Sequence, residues 1–169
     1  GIEPAIKPAA LLSNNKAVGI LATKGTLSSA LFAKTSGMYA NGIDIVEVTG
    51  TGLVELIEAG KLNSTEMRDL LSRYLEPMLV KNIDYLVLGC SHYPYLLPIL
   101  KELLPDHVTI IDSGEAVARQ TQKILIDKDL LASVRDTTAH LLYSNSETQV
   151  LTKLIEHLDV NKEISYLDF

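Results

Sequence analysis

The chain has 169 residues, 15 Lys+Arg against 21 Asp+Glu, and one cysteine. One cysteine excludes an internal disulfide and a cysteine-rich zinc site, a net charge of -6 disfavours a nucleic-acid scaffold, and no apolar run reaches the roughly 18–20 residues of a membrane span. An apolar fraction of 47% with 21% charged residues is that of a globular protein, long enough to bury roughly 70% of its unfolded surface without staples. The first ten residues hold Pro4 and Pro8 and read as an approach from a preceding strand or domain. The chain begins at Gly1 rather than Met, as a processed start or a fragment would. With no signal-peptide pattern at that end, the cytoplasm is the expected location. Ala17–Ala22 reads as a buried strand, followed by Leu27, Ala30, Leu31 and Met38 at helical spacing. Ile43–Val48 is the second strand, with Leu53, Leu56 and Ile57 helical beyond it. Met67, Leu70, Leu71, Tyr74, Leu75 and Met78 make an amphipathic helix capped by Ser64 or Thr65. Ile83–Leu88 and Val108–Ile111 are the third and fourth strands. A helix over Glu115–Ile126 follows, then a polar connection over Asp127–Thr138, where one lobe could hand over to another. Ala139–Tyr143 is the fifth strand. Val150, Leu151, Leu154, Ile155 and Leu158 close the chain at helical spacing. Strands alternating with helices, and near-continuously apolar, predict an α/β fold with a mostly parallel sheet flanked by helices.

In such a sheet, ligands gather at the carboxyl ends of the strands. After the first strand comes Ala22-Thr23-Lys24-Gly25-Thr26. Glycine between hydroxyl residues at a helix start offers free N–H groups to a carboxylate or phosphate, though capping by Thr26 would explain the same residues. It is not a P-loop, whose spacing is absent. Thr49-Gly50-Thr51-Gly52 follows the second strand, with Glu55 in the next helical turn. Glu55 either approaches His92 and holds it protonated or simply complements the helix dipole. Gly89-Cys90-Ser91-His92-Tyr93-Pro94 follows the third strand and is the strongest signal. Gly89 permits a sharp turn, and a helix is entered at Pro94 or Pro98. Cys90 then stands near a helix start, where a thiolate is favoured, with His92 two residues on. The competing reading of a lone cysteine is a small buried hydrophobe. Asp112-Ser113-Gly114 after the fourth strand reads as a helix cap. His107, His140 and His157 have no partners at metal-ligand spacing, so no metal is expected.

On residues alone two chemistries remain open. Cys90 can attack as a nucleophile with His92 as base, or its thiolate can take a proton from carbon while hydroxyls and amides hold a carboxylate.

These blocks, with Leu53-Val54-Glu55, Ile111-Asp112-Ser113-Gly114 and the opening Glu3-Pro4-Ala5-Ile6-Lys7-Pro8-Ala9, resemble the second half of bacterial glutamate racemases, in the aspartate/glutamate racemase family. The resemblance runs from Gly1 to about Leu158. Ser91 stands where the family usually has threonine. What the resemblance implies is cofactor-independent interconversion of L- and D-glutamate by two thiols on opposite faces of the substrate, supplying D-glutamate for peptidoglycan. The implied fold is two similar α/β lobes with the active site between them. By resemblance Cys90 is one of the two acid/base thiols, and His92 assists it. Ser91 and His92 contact substrate, Thr23 and Thr26 are carboxylate-pocket candidates, and Glu55 is the partner of His92. The family's first cysteine and its N-terminal Asp-Ser-Gly-Val-Gly-Gly motif have no counterpart. The chain is therefore expected to be a fragment lacking roughly 100 N-terminal residues, a small-domain length, and inactive alone. Residues 1–111 would form the second lobe, and 112–169 would complete the first. Partners implied are glutamate and a possible homodimer, with no nucleic acid and no membrane. An aspartate or other amino-acid racemase, a non-catalytic carboxylate-binding module and a cysteine hydrolase are the alternatives.

Overall fold

The computed structural model describes residues 3–39, 42–132 and 139–169. The main body is a four-stranded sheet in the order β2-β1-β3-β4. It is built from β1 (Ala17–Ala22), β2 (Asp44–Thr49), β3 (Tyr85–Gly89) and β4 (Thr109–Ile111). Every pairing is parallel, as continuous apolar strands joined by helices require. Central β1 is buried along its whole length.

Strand alternation divides the core between the two faces of the sheet. Leu21, Leu86 and Leu88 face α4 (Leu53–Glu58), α5 (Thr65–Val80) and α6 (Leu97–Leu103). Val18, Ile20, Ala22 and Val87 face α1 (Glu3–Leu12) and α3 (Ala30–Tyr39). On α5, Met67, Leu71, Leu75 and Met78 are buried at helical spacing, and Ser64 caps the helix by accepting from Met67 N at 3.1 Å.

Several expectations are corrected. The stretch beginning at Glu3 is a helix, α1, and its Ala5, Ile6 and Ala9 are fully buried; Gly1 and Ile2 lie outside the described residues. The helical segment after β1 is two pieces, α2 (Lys24–Leu27) and α3. Its buried side chains are Phe32 and Thr35, whereas Leu31 and Met38 are exposed. The register is set by packing on α1, which the spacing of apolar residues does not reveal. The cap of α2 is Thr23 rather than Thr26: Thr23 Oγ1 accepts from Thr26 N at 3.3 Å.

Beyond β4, α7 (Gly114–Asp127) lies against α1 but buries none of its residues fully. Positions 133–138 of the expected connection lie outside the described residues. A separate parallel pair, β5 (His140–Ser144) with β6 (Lys162–Tyr166), is bridged by α8 (Thr148–Leu154). The spacing of apolar residues gave no sign of β6. Among the described residues, no helix is long and apolar enough to cross a membrane.

Candidate active site

Three strand ends converge on one edge of the sheet. β1 delivers Thr23, β2 the Gly50–Gly52 turn, and β3 Cys90. A cavity of about 560 Å³ opens there, lined by Thr23, Thr26, Ser29, Cys90, Ser91 and Ser113 among others. Among the described residues no lysine or arginine lines it. Its polar lining includes the hydroxyls of Thr23, Thr26, Ser29, Ser91 and Ser113.

Cys90 is half-buried at the end of β3. The chain beyond it first makes a 3₁₀ turn, Tyr93–Leu96, and only then α6, with Pro94 and Pro98 in the opening positions of these two helices. The helix start near which the sequence places the thiol is therefore that of the 3₁₀ turn, with α6 following it. Its neighbour is the His92 side chain, with Nδ1 at 4.0 Å from Sγ, while the His92 backbone N–H donates to Sγ at 3.5 Å.

The other ring nitrogen, His92 Nε2, is 3.0 Å from Glu58 Oε1. A carboxylate there holds a proton on Nε2. In the neutral ring that tautomer leaves the Nδ1 lone pair on the side of the thiol. This corrects the expectation for Glu55: the carboxylate meeting His92 is Glu58, one helical turn further along α4. Glu55 stays in the first turn. Both carboxylates were visible in the sequence, but the direction from which His92 reaches α4 was not. The separation of 4.0 Å between thiol and ring is long for proton transfer, and such contacts shorten when substrate binds.

The threonines line the cavity but are already tied to each other. Thr26 Oγ1 donates to Gly89 O at 3.0 Å and lies 3.1 Å from Thr23 Oγ1. With the Thr26 proton spent on Gly89, the Thr23 hydroxyl is the donor between them. This chain fixes the β1 loop against the strand carrying Cys90. Ser91 is exposed at the mouth of the cavity.

Tyr93 is fully buried beneath the loop, and its phenol donates to Gly50 O at 3.0 Å. Burial pushes the phenol well above its ordinary range, and negative charge on Cys90, Tyr74 and Glu55 adds to this. The phenol is thus a permanent donor.

Residues 1–121 match the Asp/Glu/hydantoin racemase family. The chain belongs to that family. A glutamate racemase of Pseudomonas syringae pathovar tomato is 52% identical over 139 residues, covering 81% of this chain and 50% of the relative. One from Pseudomonas putida is 46% identical over 155 residues, covering 92% of this chain and 58% of the relative. The chain thus spans little more than half the length of these relatives. Among solved structures, Escherichia coli glutamate racemase in complex with L-glutamate and the activator UDP-MurNAc-ala superposes with a TM-score of 0.81 at 31% identity, over 99% of this chain and 64% of that one. A Bacillus anthracis glutamate racemase shares the fold with a TM-score of 0.83. The α/β architecture with its parallel sheet is that of these racemases.

Proposed function

We propose that this chain is the Cys90-bearing part of a glutamate racemase, which interconverts L- and D-glutamate without a cofactor and supplies D-glutamate for peptidoglycan in the cytoplasm. One observation carries the reading: a cysteine thiol stands at a hydroxyl-lined cavity with its own imidazole, and that imidazole has its own carboxylate, in a chain of the racemase family. The Escherichia coli relative, which binds L-glutamate, supports the choice of substrate.

In this reading the Cys90 thiolate takes the α-proton from one enantiomer of glutamate and becomes the thiol, and in the opposite direction the Cys90 thiol gives its proton to the carbanion on that same face and becomes the thiolate. His92 holds the thiol proton between turnovers, and Glu58 keeps the ring in the required tautomer. Inverting carbon needs an acid on the opposite face. This chain has one cysteine, so the second thiol comes from the part of the relatives that the chain does not span. Residues 1–111 form one lobe, and 112–169 belong to the other. The apolar side chains that α7 leaves exposed, Val117, Ile124 and Ile126, suit cover by a segment equivalent to that part of the relatives. With no pyridoxal group to spread the carbanion's charge, hydroxyls and amides at the strand ends stabilise it. Ser91, His92, Thr23 and Thr26 contact the substrate, and the full-length protein assembles as a homodimer.

The test is exchange of the α-hydrogen of glutamate with solvent deuterium by the full-length protein. Exchange is expected, and Cys90→Ala should abolish it. Racemisation retained in Cys90→Ala would remove that residue from the chemistry, and a preference for aspartate in a substrate panel would redirect the specificity. Trapping of an acyl-thioester on Cys90 would point to hydrolysis instead. The 169-residue chain alone should show no turnover.

A further inference from the structure

Two tyrosines from different elements hold consecutive carbonyls of one turn. The Tyr93 phenol donates to Gly50 O at 3.0 Å, and the Tyr74 phenol, from α5, donates to Thr51 O at 2.7 Å. These are the first residues of the turn that launches α4. The turn has little room to shift. Gly50 N donates to Ala22 O at 2.9 Å, continuing the ladder between β1 and β2. A Cβ on Gly50 would collide with the Tyr93 phenol. Gly52 then adopts φ +85° to start the helix, a conformation that glycine takes without strain.

The helix so launched is short, Leu53–Glu58, and its last residue is the carboxylate that meets His92. Any rotation of its first turn is carried to Glu58 within six residues. Tyr93, meanwhile, directly follows His92 in the chain. One side chain therefore ties the loop carrying His92 to the start of the helix carrying Glu58. A phenylalanine would fill the same space without the cost of burying a hydroxyl, which is offset only where that hydroxyl finds an acceptor. Here the acceptor is Gly50 O, which among the described residues is otherwise reached by Leu53 N alone, at a long 3.4 Å.

We propose that Tyr93 and Tyr74 are positioning residues, a clamp on the Gly50–Thr51 carbonyls that holds α4 in the register bringing Glu58 to His92 and so sets the reactivity of the Cys90 thiol. The inference rests on reading Cys90 as a reactive thiol, but not on racemisation. Because Cys90 is the single cysteine, alkylation by iodoacetamide reports on one site in the chain as it stands.

At neutral pH, Glu58→Gln and Tyr93→Phe should each slow alkylation roughly threefold or more, as expected on losing one partly exposed charged contact. The Tyr93→Phe/Glu58→Gln double variant should be no slower than Glu58→Gln alone, since both changes break the same link. Multiplying effects in the double variant, or an unchanged rate in Tyr93→Phe, would overturn the clamp. A thermal melt checks that each variant is folded. Should Tyr93→Phe not fold, Tyr74→Phe, less deeply buried, carries the same cycle with the same expectation. Failure of deuterium exchange in the full-length protein would count against the proposed function and leave this cycle intact.

Discussion

Gly19 shows how one missing side chain fixes the spacing of the layers. A Cβ there would lie 2.8 Å from Met78 Sδ and 2.9 Å from Ile83 Cδ1. The side chains of Met78, from α5, and Ile83 therefore rest on the bare backbone of β1. Gly19→Ala should cost about 1–3 kcal/mol through overpacking, read as a lower midpoint in urea; an unchanged midpoint would mean that Met78 yields freely. At the site, Glu58 is the carboxylate that meets His92. In the full-length protein, Glu58→Gln should slow turnover more than Glu55→Gln does, by about threefold to tenfold, the worth of a partly exposed charged contact. A larger effect at Glu55 would return the supporting role to the first turn of α4. The sequence offered both carboxylates and no means of choosing. The choice depends on where the β3 loop crosses α4, and that is a matter of packing.

Among the elements, α5 and α7 read alike as sequences and end up unlike. Both are amphipathic. Helix α5 buries Met67, Leu71, Leu75 and Met78 against the sheet, whereas α7 buries no residue fully. The pair β5–β6 is likewise a sheet of two strands, an arrangement that is marginal on its own in water. Local stability should follow this division. In native-state hydrogen exchange, the amides of β1 should exchange slowest and those of β5, β6 and α7 much faster. Equal protection in β5 and β1 would refute it. The alternation of strand and helix was legible because each strand of the sheet is a short apolar run. β6 was not, because Lys162-Glu163-Ile164-Ser165-Tyr166 carries charge and is half-exposed or exposed throughout. The split of α2 from α3 escaped because a turn of four residues leaves no periodicity to read.

For the molecule as a whole, one buried carboxylate ties distant parts of the chain together. Asp84, at the foot of β3, accepts from Ser13 Oγ at 2.6 Å, Asn14 N at 2.7 Å and Asn15 N at 3.0 Å, in the turn between α1 and β1. Burial pushes its carboxyl up, but the hydrogen bonds from Ser13, Asn15 and Asn14 outweigh this and hold it below its usual 3.8. A carboxyl depressed in the folded state binds its proton more readily when unfolded. Its contribution is therefore complete above about pH 5 and is lost as pH falls through the folded value. Asp84→Ala should lower stability by about 1–3 kcal/mol near neutrality, the penalty for buried donors left unpaired, and should flatten the loss of stability below about pH 5 relative to the unaltered protein. A parallel pH dependence in the two proteins would show that Asp84 does not carry it.

The sequence by itself determined the fold class, the positions of the first five strands along the chain and the place of the thiol after the third. Apolar strand runs that alternate with helical stretches are buried in a helix-covered parallel sheet, and the carboxyl ends of such strands lie along one edge. Thr23, Thr26, Cys90 and Ser91 were thus brought to one cavity by topology that their positions in the chain already implied. What the tertiary structure decided is which groups touch there. Glu58 meets His92 from 34 residues away, the Thr23 and Thr26 hydroxyls bind each other and Gly89 before any ligand, and two tyrosines seize one turn. Each of these contacts depends on how far one element is shifted or rotated against its neighbour. That displacement is fixed by close packing of the whole core, and no short stretch of sequence records it.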